Sequence, residues 1–311
     1  MAKFDLNKYK ASIQTADVPL KKDSYIEVND ALKEVMGLPG IPISHTTQIY
    51  GRSNGGKSTL GFHIAAQAQK QGILPIFVIT EGKMSNERVE KFGVNLDTSI
   101  VESATYIEDV FKALNKHLAS QASGDLPMDI LFIVDSIGNT MSETSIKHDK
   151  DGNIEVGGAM MKLSRILREN MRILSHKIND TRKVNSPKTA TLVFINHSYK
   201  VPPAFPGGPT TEVPYGGDGI YYSSTLVIKV NKTKYLKATK GGKDFTFGIV
   251  SKIAVEKNHV NGVSNSGDFL ITPDSIIPNE PGALKDYKAL NSDSWGSTTI
   301  TTDSGEVLDE A

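Results

Sequence analysis

The 311-residue chain has no cysteine. Disulfides and thiolate zinc sites are therefore excluded, and the composition fits a reducing compartment. No stretch approaches the ~18 to 20 apolar residues that a membrane span needs. The opening residues Met1-Ala2-Lys3-Phe4-Asp5-Leu6 carry no apolar signal-peptide core. The seven histidines are scattered, and none forms a close metal-ligand pair. Net charge is missing too, since 35 Lys and Arg balance 35 Asp and Glu. A generic polyanion binder is disfavoured, so any nucleic-acid contact must come from local patches. What remains is 38% hydrophobic and 23% charged, long enough for one large α/β domain with appendages or for two small domains.

The most informative stretch is Gly51-Arg52-Ser53-Asn54-Gly55-Gly56-Lys57-Ser58-Thr59. It fits G-x-x-x-x-G-K-[ST], between a strand end at Ile49-Tyr50 and a helix over Leu60–Ala66. Gly51, Gly55 and Gly56 let backbone N–H groups converge on a polyphosphate at a positive helix N-terminus, with Asn54 and Thr59 in the same cradle. Lys57 adds a point charge for the β and γ phosphates, and Ser58 offers a hydroxyl to Mg²⁺.

Three near-continuous apolar runs follow: Ile73–Thr80, Asp129–Asp135 and Thr189–Ile195. They are too short for helices and alternate with helical segments at 85–92, 107–120 and 158–178. This pattern predicts buried parallel strands in βαβ units. Ser24 to Gly37 reads as a short helix followed by a turn at Leu38–Pro42. Thr225–Val230 and Thr246–Glu256 alternate across Lys240-Gly241-Gly242, which predicts an antiparallel pair at a sheet edge. The fold class is α/β, a P-loop core with a mostly parallel sheet flanked by helices and antiparallel strands at one edge. Three regions are expected: an N-terminal arm at 1–22, a core at 23–275, and a C-terminal segment at 276–311. From about Asn291 that segment turns Ser/Thr/Asp-rich, and it reads as an acidic, mobile tail.

Nucleotide hydrolysis needs a metal, a carboxylate that orients water, and a γ-phosphate sensor. Asp135 closes an apolar strand and fits a Mg²⁺-binding carboxylate, although a carboxylate there can equally cap a helix. Glu81 ends the strand before it; strand C-termini line the ligand crevice of open α/β sheets, so Glu81 and Asp135 face the same phosphates. The bland alternative for Glu81 is a surface residue. Asn196-His197 ends the next strand and puts polar side chains at the same rim, with His197 as sensor candidate. Ser198 to Gly219 is then a long loop holding Pro202, Pro203, Pro206, Pro209 and Pro214 with Gly207, Gly208, Gly216 and Gly217. Its Phe205 and Lys200 suit stacking on bases and contact with a single-strand backbone; a plain lid is the alternative. Lys147 and Lys150 lie in a second loop of mixed charge.

In this order, the P-loop, a strand ending in glutamate, Val-Asp-Ser, a long helix, Phe-Ile-Asn-His, a glycine-rich loop and a late Val-Glu-Lys-Asn-His resemble the RecA-type recombinases. The pattern Asp135-Ser136-Ile137-Gly138-Asn139 and the pair Asn196-His197 look most like the phage UvsX branch. The resemblance runs from about 23 to 275. It implies that Gly56, Lys57, Ser58 and Thr59 are phosphate and magnesium ligands, Glu81 the catalytic glutamate, and Asp135 the Walker B aspartate. It makes His197 the switch between γ-phosphate and DNA loop, 198–219 the second DNA loop, and 145–157 the first. Lys257 and His259 match basic residues that reach the ATP of a neighbouring subunit, although His259 stands where the family has lysine or arginine. Arg88 lies where the family has an adenine-stacking tyrosine.

The reading that follows is an ATP- and Mg²⁺-dependent strand-exchange protein, a DNA-dependent ATPase that is phage-encoded and acts in the cytoplasm of the infected host. Its partners are single-stranded DNA, homologous duplex, mediator and single-strand-binding proteins, and copies of itself in a filament with ATP at the interface. The rival is a hexameric helicase or motor with the same ATPase core.

Overall fold

The computed structural model describes residues 5, 8, 19–82, 84–143, 146–148, 154–156, 159–203, 205, 207–305 and 307–308, with the backbone alone at 139, 146–148, 154–156 and 159–162. Most of the expected arm at 1–22, Lys150, and the final residues 309–311 lie outside the described residues, as does the side chain of Lys147.

Strands β1 (Tyr25–Glu27) and β2 (Gly40–Pro42) form a small antiparallel ribbon. The strand at 25–27 and the strand at 40–42 correct the expectation of one helix over 24–37 and a turn over 38–42. Only Asp30–Met36 is helical, started by Asn29, whose side chain accepts the Leu32 N–H, and stopped by Gly37 at φ 64°. Next come β3 (Thr46–Gly51), β4 (Leu74–Ile79), β5 (Ile100–Ser103) and β6 (Ile130–Asp135). A separate hairpin pairs β7 (Ile146–His148) with β8 (Ile154–Val156). The chain continues through β9 (Ala190–Val201), β10 (Thr211–Pro214), β11 (Leu226–Lys240), β12 (Lys243–Asn258), β13 (Ser266–Ile271), β14 (Ile276–Pro278) and β15 (Thr299–Thr302). The main sheet runs β14-β13-β12-β11-β3-β9-β6-β4-β5, with β10 added to β9 and β15 to β11. β11, β3, β9, β6, β4 and β5 are mutually parallel, and the antiparallel strands gather at one end.

The apolar runs are continuous because both faces of the sheet are covered, and their side chains still sort with period two. Phe77, Leu131, Ile133, Val193 and Ile195 pack with Leu60 and Ile64 of the helix Lys57–Lys70. Ile76, Val78, Phe132, Val134 and Phe194 pack with Val110 and Leu114 of the helix Ile107–Ser123 and with Leu167 and Met171 of the helix Ala159–Asp180. At ~25 cal/mol per Å² of apolar surface buried, these two layers dominate the stabilisation.

The expected antiparallel pair is β11–β12, and β13 and β14 continue the antiparallel edge beyond it. Two expectations are corrected. Within the described residues the stretch from Asn291 is no tail: helix Ser292–Trp295 leads to β15, and Ile300, Trp295, Leu284 and Tyr287 close a third core with Phe247 and Leu236. Its Ser/Thr content alternates with buried residues in β15, so composition alone misread it. Finally, Ser198–Gly219 is not structureless. β9 runs on to Val201 and returns as β10, with Pro214 opposite Ser198 and Glu212 opposite Lys200.

Candidate nucleotide and DNA site

Four parallel strand ends meet at the crevice: β3 enters the P-loop, β4 delivers Glu81, β6 ends in Asp135, and β9 passes through Asn196-His197. The register sets Gly51 opposite His197 and Ile79 opposite Asp135. A Cβ on Gly51 would sit 1.9 Å from the carbonyl oxygen of Val230, so β11 approaches the loop too closely for any side chain. Gly56 holds φ +95° as it starts the helix, the left-handed region that glycine occupies without strain. Asn54 also has positive φ, at 60°, which asparagine tolerates better than most residues. The Ser251 hydroxyl fixes the carbonyl of Gly55 at 2.8 Å.

Lys57 is 5% exposed, and its Nζ donates to the Arg52 carbonyl at 2.7 Å. Burial lowers its pKa to about 8, against the pull of Asp135, Glu81 and Glu212. Burial pushes the Asp135 carboxyl up, opposed by a hydrogen bond with Ser58. A divalent cation shared by these two oxygens would relieve that penalty. One carboxylate, one hydroxyl and phosphate oxygens suit Mg²⁺, which seldom has an all-protein cage. The donor set fits Mg²⁺ with a nucleoside triphosphate.

Glu81 is not an idle surface carboxylate. Its Oε1 accepts from Ser136 Oγ at 2.5 Å and is 2.8 Å from His197 Nε2. Thr80 brackets the cis Asp135–Ser136 peptide, accepting the Ser136 N–H and donating to the Ser136 carbonyl. Asn196 departs from expectation. It is fully buried, with Nδ2 donating to the Tyr215 carbonyl at 2.8 Å, so it fastens the returning arm and does not line the rim.

Arg88, on the helix Asn86–Lys91, donates to Thr59 Oγ1 at 2.9 Å and so adjoins the P-loop helix. Lys257 and His259 lie apart from the P-loop's bonds. Lys257 Nζ caps the carbonyls of Tyr221 and Tyr222, and exposed His259 donates its backbone N–H to the Thr225 carbonyl. Lys200 is exposed on β9, and Phe205 is 63% exposed between the two arm strands. Gly207 and Gly208 lie in the same turn, while Gly216 and Gly217, both at positive φ, lead into the helix Asp218–Ser223.

Sequence reasoning missed one group. Arg168, Arg172 and His176 project from the helix Ala159–Asp180 at four-residue spacing into a groove of about 520 Å³, faced by Asp218 and Tyr222. The i, i+4, i+8 repeat of basic residues was the available signal. Gly219 packs against the Arg168 backbone, where a Cβ would lie 3.0 Å from the Arg168 Cα.

Residues 13–272 match the RecA N-terminal domain family. The chain belongs to the RecA family. It is 28% identical over 273 residues to Protein RecA of Syntrophus aciditrophicus (strain SB), covering 83% of this chain and 72% of that protein. It is 27% identical over 297 residues to Protein RecA of Streptococcus equi subsp. zooepidemicus (strain MGCS10565), covering 90% and 73%. As a RecA-family member the chain is an ATP-dependent recombination protein of the strand-exchange class, and the helicase reading is not favoured. None of the described helices is long and apolar enough to cross a membrane.

Proposed function

We propose that this RecA-family protein hydrolyses ATP and uses the nucleotide state to set its grip on single-stranded DNA within a filament. The observation that carries the reading is the shared oxygen of Glu81, bonded at once to Ser136 beside Asp135 and to His197 at the root of the arm. In this reading the Glu81 carboxylate orients the attacking water and takes its proton, and His197 passes the change along β9 into the arm. Gly51, Asn54, Gly55, Gly56, Lys57, Ser58 and Thr59 hold the phosphates, and Arg88 packs on the base. Ser58 and Asp135 hold Mg²⁺, which supplies charge neutralisation at the β and γ phosphates. Lys257 and His259 face the nucleotide of the next subunit.

Lys200 and Phe205, with Gly207, Gly208, Gly216 and Gly217, contact the single strand. Arg168 and Arg172, in the groove with Gly219, reach its phosphates, and Lys147 and Lys150 belong to the first DNA loop. Homologous duplex, mediator and single-strand-binding proteins complete the partners. The Asn196-His197 pair supports a phage origin, with activity in the cytoplasm of the infected host. ATP turnover with and without single-stranded DNA, together with negative-stain microscopy, tests the reading. Wild type should form filaments and hydrolyse faster with DNA, and Glu81→Gln should form filaments but turn over at least ~100-fold more slowly. Closed rings, or wild-type turnover in Glu81→Gln, would sink it.

A further inference from the structure

A second connection joins the P-loop to the arm, and it does not pass through His197. Its hub is Glu212 on β10, whose side chain is 11% exposed. Four side chains from three segments converge on this carboxylate. Ser198, where the arm leaves the crevice, donates its hydroxyl at 2.5 Å. Asn231 Nδ2 and Lys229 Nζ reach it from β11 at 3.3 and 3.5 Å. Arg52 Nε approaches from the P-loop at 3.4 Å. Arg52 is held by its backbone as well, since its N–H donates to Asn231 Oδ1 at 3.0 Å. Its carbonyl accepts from Lys57, so one residue touches the phosphate lysine at one end and the arm's carboxylate at the other. Behind them Lys229 lies 4.0 Å from Glu256, which accepts the Tyr50 hydroxyl next to Gly51.

A nearly buried carboxylate is tolerated only while its partners remain, so Glu212 ties the position of β10 to the position of Arg52. The Arg52 side chain, by contrast, is 57% exposed and stands at the mouth of the phosphate cradle. A polyphosphate is a stronger guanidinium acceptor than a lone carboxylate. Nucleotide and Glu212 therefore compete for one side chain. We propose that Glu212 is a positioning residue that couples P-loop occupancy to the placement of the arm carrying Lys200 and Phe205, on a route parallel to Glu81–His197. This inference rests on the reading that the arm binds single-stranded DNA.

The test uses the full chain and a fluorescent oligo-dT, with affinity measured by anisotropy in ATPγS and in ADP. The quantity read is the ratio of the two affinities. For wild type the ratio should be about tenfold or more. Glu212→Gln and Arg52→Gln should each lower it by at least about fivefold, and the double variant should lose no more than either alone, because both act through one contact. Arg52→Lys, which keeps the cation, should restore most of the ratio. Arg52 is exposed enough that its variants remain informative should Glu212→Gln fold poorly.

Ratios within about twofold of wild type in both single variants would overturn the inference while leaving the DNA-binding reading intact. So would losses that multiply in the double variant. A wild-type protein that binds oligo-dT equally in both nucleotides, or not at all, would remove the reading and this inference together.

Discussion

Lowering the pH from 7 to 5 should destabilise the protein by an amount traceable to two buried histidines. His63, on the P-loop helix, is 8% exposed, and its Nε2 accepts the backbone N–H of Asn29 at 3.3 Å. Asn29 has no spare capacity: its Oδ1 accepts from Leu32, and its Nδ2 donates to the Ile276 carbonyl. Protonating His63 would set one donor against another and charge a ring enclosed by core side chains. Burial, with a smaller push from Lys70, lowers its pKa to about 4. His45 is 4% exposed and is lowered to about 4 as well, by burial and by Arg182 against the pull of Asp23.

Each folded pKa lies below the unfolded value of about 6.5, so the unfolded chain takes up the proton first. The associated stability is complete above about pH 6.5, falls as the pH drops, and is gone below about pH 4. Integrated over that window, each histidine costs about 2 kcal/mol at pH 5 and about 3 kcal/mol at pH 4. Together they remove about 4 kcal/mol at pH 5, a large share of the ~5 to 15 kcal/mol typical of a domain. Urea unfolding at pH 7 and pH 5 measures the difference, followed by helical circular dichroism. Trp295 fluorescence reports separately on the third core, where the indole packs against Phe247. His63→Gln removes one titration and should halve the loss between the two pH values. An unchanged loss in that variant would refute the assignment, as would equal stability of wild type at both pH values.

Lys57→Ala should abolish nucleotide binding, checked with a fluorescent ATP analogue; normal affinity would remove the P-loop assignment. Gly56→Ala places a methyl 2.2 Å from Ile271 Cδ1 at φ +95°. It should cost ~1 to 3 kcal/mol in urea unfolding and impair nucleotide binding, and a neutral result would show the loop relaxing freely. Phe205→Ala should weaken single-strand binding by ~1 to 3 kcal/mol with an unchanged melting temperature, since the ring is mostly exposed; no effect would leave the arm as a lid.

The sequence was most legible where physics leaves one solution. An apolar run of seven or eight residues, too short for an ordinary helix and set between helical segments, reads as a strand covered on both faces, and all three such runs became central parallel strands. Glu81, Asp135 and His197 followed from strand direction alone, and they do converge. The arm was illegible because its pairing is non-local. Ser198 meets Glu212 across six intervening prolines and glycines, and those residues signal a break without saying whether the chain returns. Asn196 was misread because its amide serves Tyr215, which only the returning arm brings near. The basic face of the helix Ala159–Asp180 was overlooked because charged helix faces are usually solvated. Only the packing of Gly219 on Arg168 makes that face one wall of a groove.

The order of strands explains how a phosphate-binding loop can address a segment more than 140 residues later. β3 lies between β9 and β11, hydrogen-bonded to both. Its end becomes the P-loop, while β9 continues past the crevice as the first strand of the arm. β11 does not enter the arm, but it supplies Lys229 and Asn231 to the carboxylate on the arm's second strand. A displacement at Gly51 or Arg52 therefore meets both halves of the hairpin through immediate neighbours. His197 acts on the outgoing strand, and Glu212 on the returning one. Two contacts on opposite strands of a hairpin resist rotation as well as translation, which a single hinge at His197 would not. If coupling ran through His197 alone, Arg52 would be free to vary and Glu212 would carry the desolvation of a buried charge for no positional gain.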